Sequence, residues 1–338
     1  MRKLAVLCTM WALLFAGCTQ TSTQSLRDNL MGTVMSITAY GENAPAAIDM
    51  AYNRIEEIHS ICDANSTISL ISCVNNGSVQ LEQALADPDF FAISKIAMET
   101  EGESNGAFNP AIGSLVKLWG ISTGSGKIPN VQDIASALEQ IEIFNLQKKT
   151  PENTFQAEYL VQLDFGAVAK GYACDEAARV LSENGVKSAI LDLGGNIYAM
   201  GKKPDGKQWR IGLRSPVPGD GGVIATIPLT NMSAVTSGSY ERYFESGGRL
   251  YHHILDPKTG YPAESGLLSV TIIYHSSGVA DAYSTACFVM GLQDGAALVR
   301  SRADMAAIFI TEDFKIYTIG NVEGLTLTDD RFELGGSI

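Results

Sequence analysis

The chain has 338 residues, of which 46% are hydrophobic and 18% are charged. This length and composition suffice for one large domain or two modest domains with apolar cores, and they exclude a largely disordered protein. The formal net charge is −13. Such acidity argues against general nucleic-acid binding, because contact with phosphates needs a basic surface.

The first residues have the pattern of a bacterial lipoprotein signal. Arg2 and Lys3 precede an apolar segment, residues 4–15, which is too short to form a stable transmembrane helix. Small residues and then Cys18 follow where the apolar segment ends. We expect cleavage before Cys18 and lipidation of its thiol. A plain secretory signal with an uninvolved cysteine is the alternative.

The lipoprotein interpretation divides the chain into three parts. Residues 1–17 are the signal peptide, residues 18–28 are a polar, lipid-anchored tether, and residues 29–331 form one folded domain. Several acyl chains would anchor the protein firmly, since each buried methylene contributes roughly 0.8 kcal/mol. The remaining cysteines are Cys62, Cys73, Cys174 and Cys287. They form no C-x-x-C pair, so a zinc site is not indicated, and their pairing stays open.

Hydrophobic periodicity and turn residues predict both strands and helices along the folded domain. The predicted strands are Met31 to Tyr40, Ala157 to Leu163, Ser188 to Met200, Trp209 to Arg214, Val223 to Pro228, Leu268 to Tyr274, Ala306 to Thr311 and Lys315 to Ile319. The predicted helices run from Pro45 to Ser60, from Pro88 to Glu101, from Val131 to Ile141, from Ala167 to Gly185, from Asp281 to Met290 and from Asp294 to Arg302. This mixture predicts an α+β fold with mostly antiparallel sheets flanked by helices.

Residues 163–175, which read LDFGAVAKGYACD, are predicted as a strand that turns directly into a helix. Gly166 permits a tight turn. The start of the helix offers unpaired backbone N–H groups beside Lys170, where a phosphate can bind. Asp164 can accept hydrogen bonds from a polar ligand or help to bind a cation. The alternative is an ordinary strand–turn–helix unit with a surface lysine.

A second candidate site lies in the sequence ADAYSTA, residues 280–286. Asp281 and Thr285 are four residues apart and therefore neighbours on one face of a helix. A carboxylate, a hydroxyl and a backbone carbonyl together form an oxygen-only ligand set, which suits a hard cation such as Mg²⁺. The alternative is that Asp281 caps the helix and Thr285 packs.

Six short motifs occur in a fixed order along the chain. They are M-G-T at residues 31–33, A-F-N-P at 107–110, D-F-G-A-V-A-K-G-Y-A-x-D at 164–175, G-G-N at 194–196, H-I-L-D-P-K-T-G-Y-P at 253–262 and A-D-A-Y-S-T-A at 280–286. As an ordered set they resemble the ApbE family of FAD:protein FMN transferases over almost the whole mature chain. The resemblance implies an ApbE-like, T-fold-like domain.

The resemblance also implies a reaction and a place for it. Family members use Mg²⁺ to split FAD, release AMP and move FMN onto a threonine hydroxyl of a target flavoprotein. The targets are subunits of membrane redox pumps of the NQR and RNF type. The chain would then work at the periplasmic face of the bacterial inner membrane, where its lipid anchor would hold it beside those targets.

The resemblance assigns a role to each matching residue. The implied metal ligands are Asp281, Ser284, Thr285 and the carbonyl of Ala167. The implied FAD contacts are Met31, Cys62, Ala107, Phe108, Asn109, Asp164, Lys170, Ile254 and Leu255. His253 is implied as the catalytic base that activates the target threonine, and an ordinary histidine pKa of roughly 6.5 suits that task.

Two residues depart from the family pattern. Asn109 stands where an aspartate is common, which removes one negative charge beside the flavin. Cys62 stands where many members carry an aromatic side chain, and a thiol stacks poorly on a flavin or an adenine. These departures leave open a lipoprotein that binds FAD without chemistry. The same metal site, with no acceptor assumed, leaves open an FAD pyrophosphatase that releases FMN and AMP.

Overall fold

The computed structural model describes residues 22–147 and 161–338, and these ranges contain fourteen strands, eight α-helices and two single-turn 3-10 helices. The strands are β1 (Ser22–Leu30), β2 (Thr33–Tyr40), β3 (Ser188–Leu193), β4 (Asn196–Met200), β5 (Trp209–Arg214), β6 (Val223–Leu229), β7 (Met232–Gly238), β8 (Tyr243–Ser246), β9 (Arg249–His252), β10 (Leu267–Tyr274), β11 (Ala306–Thr311), β12 (Lys315–Ile319), β13 (Thr326–Leu327) and β14 (Glu333–Ser337). The helices are α1 (Ala44–Cys62), α2 (Leu70–Asn75), α3 (Leu81–Ala84), α4 (Pro88–Glu103), α5 (Gly113–Trp119), α6 (Val131–Gln147), α7 (Ala169–Glu183) and α8 (Ser277–Arg300).

Nine strands form the central sheet, in the spatial order β1-β2-β3-β4-β7-β10-β11-β12-β14. All neighbours in this sheet are antiparallel except β12 and β14, which are parallel. A second sheet has the order β13-β6-β5, and β8 pairs with β9 as a separate two-stranded sheet. The prediction of an α+β fold with mostly antiparallel sheets is confirmed.

The two faces of the central sheet bury different layers, because successive side chains of a strand point in opposite directions. On β10, Ile272 belongs to the core that the sheet shares with helices α1, α4, α7 and α8, whereas Ile273 belongs to the core under β5 and β6. On β11, Phe309 and Ile308 divide in the same way. Most of the described residues therefore form three layers: a helical layer, the nine-stranded sheet and the three-stranded sheet.

The strand predicted to precede residue 164 is wrong where the structure describes it. Residues 157–160 lie outside the described ranges, and residues 161–165 form no strand. The reason is that their backbone groups bond to loops and a side chain rather than to a strand. The Leu163 N–H donates to Asn75 Oδ1 at 2.7 Å, the Leu163 carbonyl accepts from Asn75 Nδ2 at 2.8 Å, and the Asp164 N–H donates to the Pro110 carbonyl at 2.9 Å.

Three other predicted elements have different bounds. The single strand predicted over 188–200 is the hairpin β3–β4, which turns at Gly194 and Gly195 with φ values of +65° and +96°. The helix predicted from Ala167 begins two residues later, at Ala169. The two helices predicted over 281–302 are one helix, α8, which begins at Ser277 and contains a kink at Gly291, where φ is +78°.

The ends of the domain also differ from the prediction. Residues 22–28, expected in a tether, lie in β1, which pairs with β2. Residues 333–337, beyond the predicted end of the domain at 331, form β14 in the central sheet. Cys18 and the predicted signal peptide lie outside the described residues. Within the described residues, the four cysteines are unpaired, and no helix has the length and apolar character needed to cross a membrane.

Candidate active site

The candidate active site forms where the N-terminus of α7 meets the first turns of α8. The Gly171 N–H donates to Asp281 Oδ2 at 2.9 Å, and Lys170 Nζ lies 3.3 Å from both carboxylate oxygens of Asp281. The Asp281 side chain is 4% exposed and that of Lys170 is 21% exposed. The structure thus brings together two segments that are 110 residues apart in sequence.

Hydroxyl oxygens of α8 and β7 lie beside this carboxylate. The Ser284 hydroxyl donates to the Asp281 carbonyl at 2.8 Å, and its Oγ lies 2.7 Å from Ser237 Oγ. Thr285 Oγ1 lies 3.2 Å from the same Ser237 Oγ. Asp281 is the fifth residue of α8 and not its cap, because the Ser276 side chain is the one that accepts from the Val279 N–H. The structure therefore excludes the alternative in which Asp281 caps the helix.

The turn before α7 carries the predicted residues Asp164 and Ala167. Asp164 Oδ1 accepts from the Gly166 N–H at 2.7 Å, which closes the turn. Ala167 is half-buried in the turn, three residues before Lys170. The Asp164 N–H donates to the Pro110 carbonyl, so this turn is joined to the loop at residues 107–109.

The loop at residues 107–109 is buried, and the side chains of Phe108 and Asn109 contact other parts of the protein. Phe108 packs in the core of the helical layer. Asn109 Oδ1 accepts from the Ala111 N–H at 2.9 Å, and Asn109 Nδ2 donates to Asn145 Oδ1 at 3.1 Å. The Ala107 N–H also donates to the Ser104 carbonyl and the Phe108 N–H to the Ser104 hydroxyl, so the role of this loop as an FAD contact stays a prediction.

His253 follows β9 and is held by the backbone of Arg242. The Arg242 carbonyl accepts from the His253 N–H at 3.0 Å and lies 3.3 Å from His253 Nδ1. Because a carbonyl oxygen only accepts, Nδ1 carries the proton and Nε2 keeps a free lone pair. Burial, and after it the charge of Arg242, lower the pKa of His253 to about 3, well below the ordinary value of roughly 6.5 expected from the sequence. The imidazole is therefore neutral near pH 7.

The neighbours of His253 form a fixed support. The Ile254 N–H donates to His252 Nδ1 at 3.3 Å, and His252 Nε2 donates to the Ala263 carbonyl at 3.0 Å. Ile254 and Leu255 are each 5% exposed and pack in two different hydrophobic cores. Their buried side chains fix the segment that follows His253.

Met31 lies in the turn between β1 and β2, where it adopts a left-handed conformation with φ of +50°. This conformation is uncommon for a residue other than glycine. Arg242 Nη2 donates to the carbonyl of the next residue, Gly32, at 2.9 Å. Arg242 thus joins the Met31 turn to His253, a link that the sequence did not reveal.

Three titratable groups of the site keep solvent-accessible surface although protein atoms crowd around them. Burial raises the pKa of Asp164 and raises that of Glu241 to about 7, while it lowers that of His253. Lys170 acts electrostatically on both Glu241 and His253. Strongly shifted pKa values are common at functional sites.

Cys62, a predicted FAD contact, packs in a hydrophobic core. It is 8% exposed and packs at the end of α1 in the core of the helical layer. Burial raises its pKa, and the negative charges of Asp89 and Asp164 add to the effect. Cys62 therefore lies near the Asp164 turn as a buried, protonated thiol, and its role as an FAD contact stays a prediction.

The model of the ApbE family matches residues 31–309. The chain belongs to the ApbE family. A protein of Treponema pallidum named FAD:protein FMN transferase is 32% identical over 324 residues, which cover 90% of this chain and 89% of that protein. A protein of the same name from Klebsiella pneumoniae is 33% identical over 286 residues, covering 84% and 88%.

Solved structures of the family have the same fold. The ApbE protein of Thermotoga maritima superposes with a TM-score of 0.72 at 28% identity, covering 86% of this chain and 95% of that one. The flavin transferase ApbE of Vibrio cholerae superposes with a TM-score of 0.72 at 23% identity, covering 91% and 97%. The ApbE-like fold predicted from the ordered motifs is confirmed.

The residues present fit a hard cation that is shared with a phosphate ligand. Among residues 22–147 and 161–338, no group of three His, Cys, Asp or Glu side chains could hold a metal ion. The candidate ligands are instead one carboxylate, Asp281, and the hydroxyls of Ser284 and Thr285. Mg²⁺ prefers oxygen ligands and is often held by one or two carboxylates together with substrate phosphates.

Three polar residues of the site were missed by the sequence analysis: Ser237, Glu241 and Arg242. Ser237 is near the end of β7, and the other two follow within four residues of Gly238. A cluster of polar residues where a strand ends was the available signal. It was weak because nothing local indicates that β7 ends against α8.

Proposed function

We propose that this protein is a Mg²⁺-dependent FAD:protein FMN transferase. It would move FMN from FAD to a threonine hydroxyl of a target flavoprotein and release AMP. The observation that carries the proposal is the meeting of Asp281, Lys170 and the Gly171 N–H, with Lys170 also acting on the neutral His253. The names of the similar proteins from Treponema pallidum and Klebsiella pneumoniae support the same reaction.

The chain's own groups would bind and orient the diphosphate of FAD. Asp281, Ser284 and Thr285, with the carbonyl of Ala167, would hold Mg²⁺, which supplies charge neutralisation on the diphosphate when bound. Lys170 adds a positive charge on the same side, since its Nζ lies 3.3 Å from the Asp281 carboxylate. Positioning and charge stabilisation account for most of the catalysis of phosphoryl transfer.

His253 would act as the general base. The threonine oxygen attacks the phosphorus of the FMN half and forms a new P–O bond. The P–O bond to AMP then breaks, and AMP leaves with the electron pair. The threonine proton goes to Nε2 of His253, which is free because Nδ1 faces the Arg242 carbonyl. The lowered pKa of His253 keeps Nε2 unprotonated at neutral pH.

We also propose where this reaction takes place. Lipidation of Cys18 would hold the domain at the periplasmic face of the inner membrane, with a short linker before β1. The target proteins would be subunits of NQR- and RNF-type redox pumps. The lipoprotein-like pattern of residues 2–18 supports the anchor.

The experiment mixes the domain, without its signal, with FAD, Mg²⁺ and a target domain that carries the acceptor threonine. Transfer produces a protein band that fluoresces under ultraviolet light after denaturation. His253→Ala should slow transfer by about 10²–10⁴-fold while FAD binding in equilibrium titration stays unchanged. His275→Ala is the matched control, because its ring is 60% exposed and pairs with Asp304.

The products distinguish the remaining alternatives. Free FMN and AMP in equal amounts, with no labelled target, would identify an FAD pyrophosphatase. Bound FAD that stays intact would identify a carrier, and Asp281→Ala would then leave FAD binding almost unchanged. Either result would overturn the transferase proposal.

A further inference from the structure

Asp175 lies on α7 and caps the N-terminus of α8. Its Oδ1 accepts from the Ser277 N–H at 2.7 Å, and its Oδ2 accepts from the Gly278 N–H at 2.9 Å and from the Ser276 hydroxyl at 2.8 Å. The first N–H groups of a helix have no partner within that helix. A side chain from another helix therefore satisfies the start of α8.

Asp281 makes the reciprocal contact. It lies on α8, and its Oδ2 accepts from Gly171, the third residue of α7. Each helix thus supplies a carboxylate to an N-terminal N–H group of the other. Carboxylates are favourable at helix N-termini because the helix dipole is positive there.

The two helices approach so closely because glycines lie at the crossing. A Cβ on Gly171 would lie 2.2 Å from the Ser277 carbonyl oxygen, and a Cβ on Gly278 would lie 3.2 Å from the Tyr172 backbone nitrogen. Asp175 bonds to the backbone of the same two α8 residues, Ser277 and Gly278. Asp175 therefore holds the first turn of α8 against α7. The two α8 residues that it binds lie about one helical turn before Asp281.

We propose that Asp175 is a positioning residue for the metal-binding carboxylate of Asp281. It does not touch the ligand; it sets the distance and rotation of α8 relative to α7, and so aims the Asp281 side chain. The inference rests on the proposed function, in which Asp281 binds the metal. It assigns a role to the last residue of the motif at 164–175 that the reaction itself does not use.

The test is direct metal binding, measured without turnover. Mn²⁺ serves as the probe, and free Mn²⁺ is followed by electron paramagnetic resonance in the absence of FAD. Asp175→Asn keeps the size of the side chain but places an NH₂ group against a backbone N–H. We expect Asp175→Asn to weaken Mn²⁺ binding about tenfold, the lower end of the effect of groups that orient metal ligands.

Asp89→Asn is the matched control. Asp89 also binds α7, through the Tyr172 hydroxyl at 2.8 Å, but it makes no contact with the start of α8. We expect Asp89→Asn to lower stability and leave Mn²⁺ affinity unchanged. If Asp175→Asn does not fold, Ser276→Ala replaces it; that change keeps the carboxylate and removes one of its three hydrogen bonds, together with the bond from the Val279 N–H to the Ser276 hydroxyl.

The outcomes separate this inference from the proposed function. The positioning role is supported if the wild type binds Mn²⁺, Asp175→Asn or Ser276→Ala binds it more weakly, and Asp89→Asn binds it as tightly as the wild type. Equal affinity in wild type and both α8-capping variants overturns it, while the metal site of the proposed function stands. A wild-type protein that binds no Mn²⁺ without FAD overturns the inference, which requires Asp281 to be aimed before FAD binds, whereas the metal site completed by the diphosphate is tested separately by the Mg²⁺ dependence of transfer.

Discussion

Gly171→Ala tests the contact on which the candidate site depends. The added methyl would lie 2.2 Å from the Ser277 carbonyl oxygen and 2.8 Å from Asp281 Cβ. A contact of ordinary length begins at 3.4 Å, so α7 and α8 would have to separate by about 1.2 Å. Neither obstacle is the flexible end of a side chain, so the strain falls on the two helix backbones.

Two opposing effects decide the change in stability. Alanine favours a helix interior by about 1 kcal/mol over glycine. Overpacking costs about 1–3 kcal/mol, and the hydrogen bond from the Gly171 N–H to Asp281, now 2.9 Å, would lengthen to about 4 Å and be lost. A hydrogen bond to a charged group contributes about 1.5–3 kcal/mol. We expect the free energy of unfolding to fall by about 2 kcal/mol or more.

Urea denaturation followed by tryptophan fluorescence measures this change. Gly102→Ala is the matched control, since Gly102 lies in α4 and a Cβ there would meet no atom within 4 Å. That control should gain about 0.5–1 kcal/mol. If Gly171→Ala were as stable as Gly102→Ala, the close crossing of α7 and α8, and the site built on it, would be refuted.

Further expectations concern pH and thiol chemistry. Arg242→Gln removes a positive charge that lowers the pKa of His253, so the fall in transfer rate on acidification should begin at higher pH than in wild type; an unchanged profile would contradict this coupling. Burial alone would raise the pKa of Asp89, but hydrogen bonds from Arg54 and Tyr172 outweigh it and lower the pKa overall. Ionised Asp89 therefore stabilises the fold at pH values above the pKa that it has in the unfolded chain. Tyr172→Phe should therefore cost about 1 kcal/mol at pH 7, and the difference in urea denaturation should shrink below about pH 4. In native alkylation followed by mass spectrometry, half-buried Cys73 should react before the three buried cysteines; simultaneous labelling would refute that order.

Much of the fold could be predicted because its signals are local. The predicted strands at 306–311 and 315–319 coincide with β11 and β12. Their apolar residues are continuous or alternate over five or six positions, and the turn between them is short. Pro88 and the preceding Asp87 likewise mark the start of α4, where Asp87 Oδ1 accepts from two N–H groups of the first turn.

Other features could not be predicted because they depend on partners distant in sequence. Residues 161–165 look like a strand, but Asn75 supplies the hydrogen bonds that a neighbouring strand would have made. Asp281 looks like a helix cap, but the helix begins four residues earlier because Asp175 and Ser276 satisfy its first N–H groups. In both cases a polar side chain distant in sequence, Asn75 or Asp175, takes part in deciding the local structure.

The net charge of the whole protein likewise does not predict the charge at the site, because the site brings together residues that are distant in sequence. A net charge of −13 would repel a diphosphate if it were spread evenly. Around Glu241, however, Lys170, Arg242 and Arg214 are close enough to oppose the rise in its pKa. Since exposed charges beyond about 10 Å are largely screened at 0.1 M salt, a bound diphosphate experiences mainly these nearby cations and the carboxylates of Glu241 and Asp281. Folding of this acidic chain therefore gathers three cations beside Glu241 and Asp281, and these cations offset the repulsion that a diphosphate would otherwise meet there.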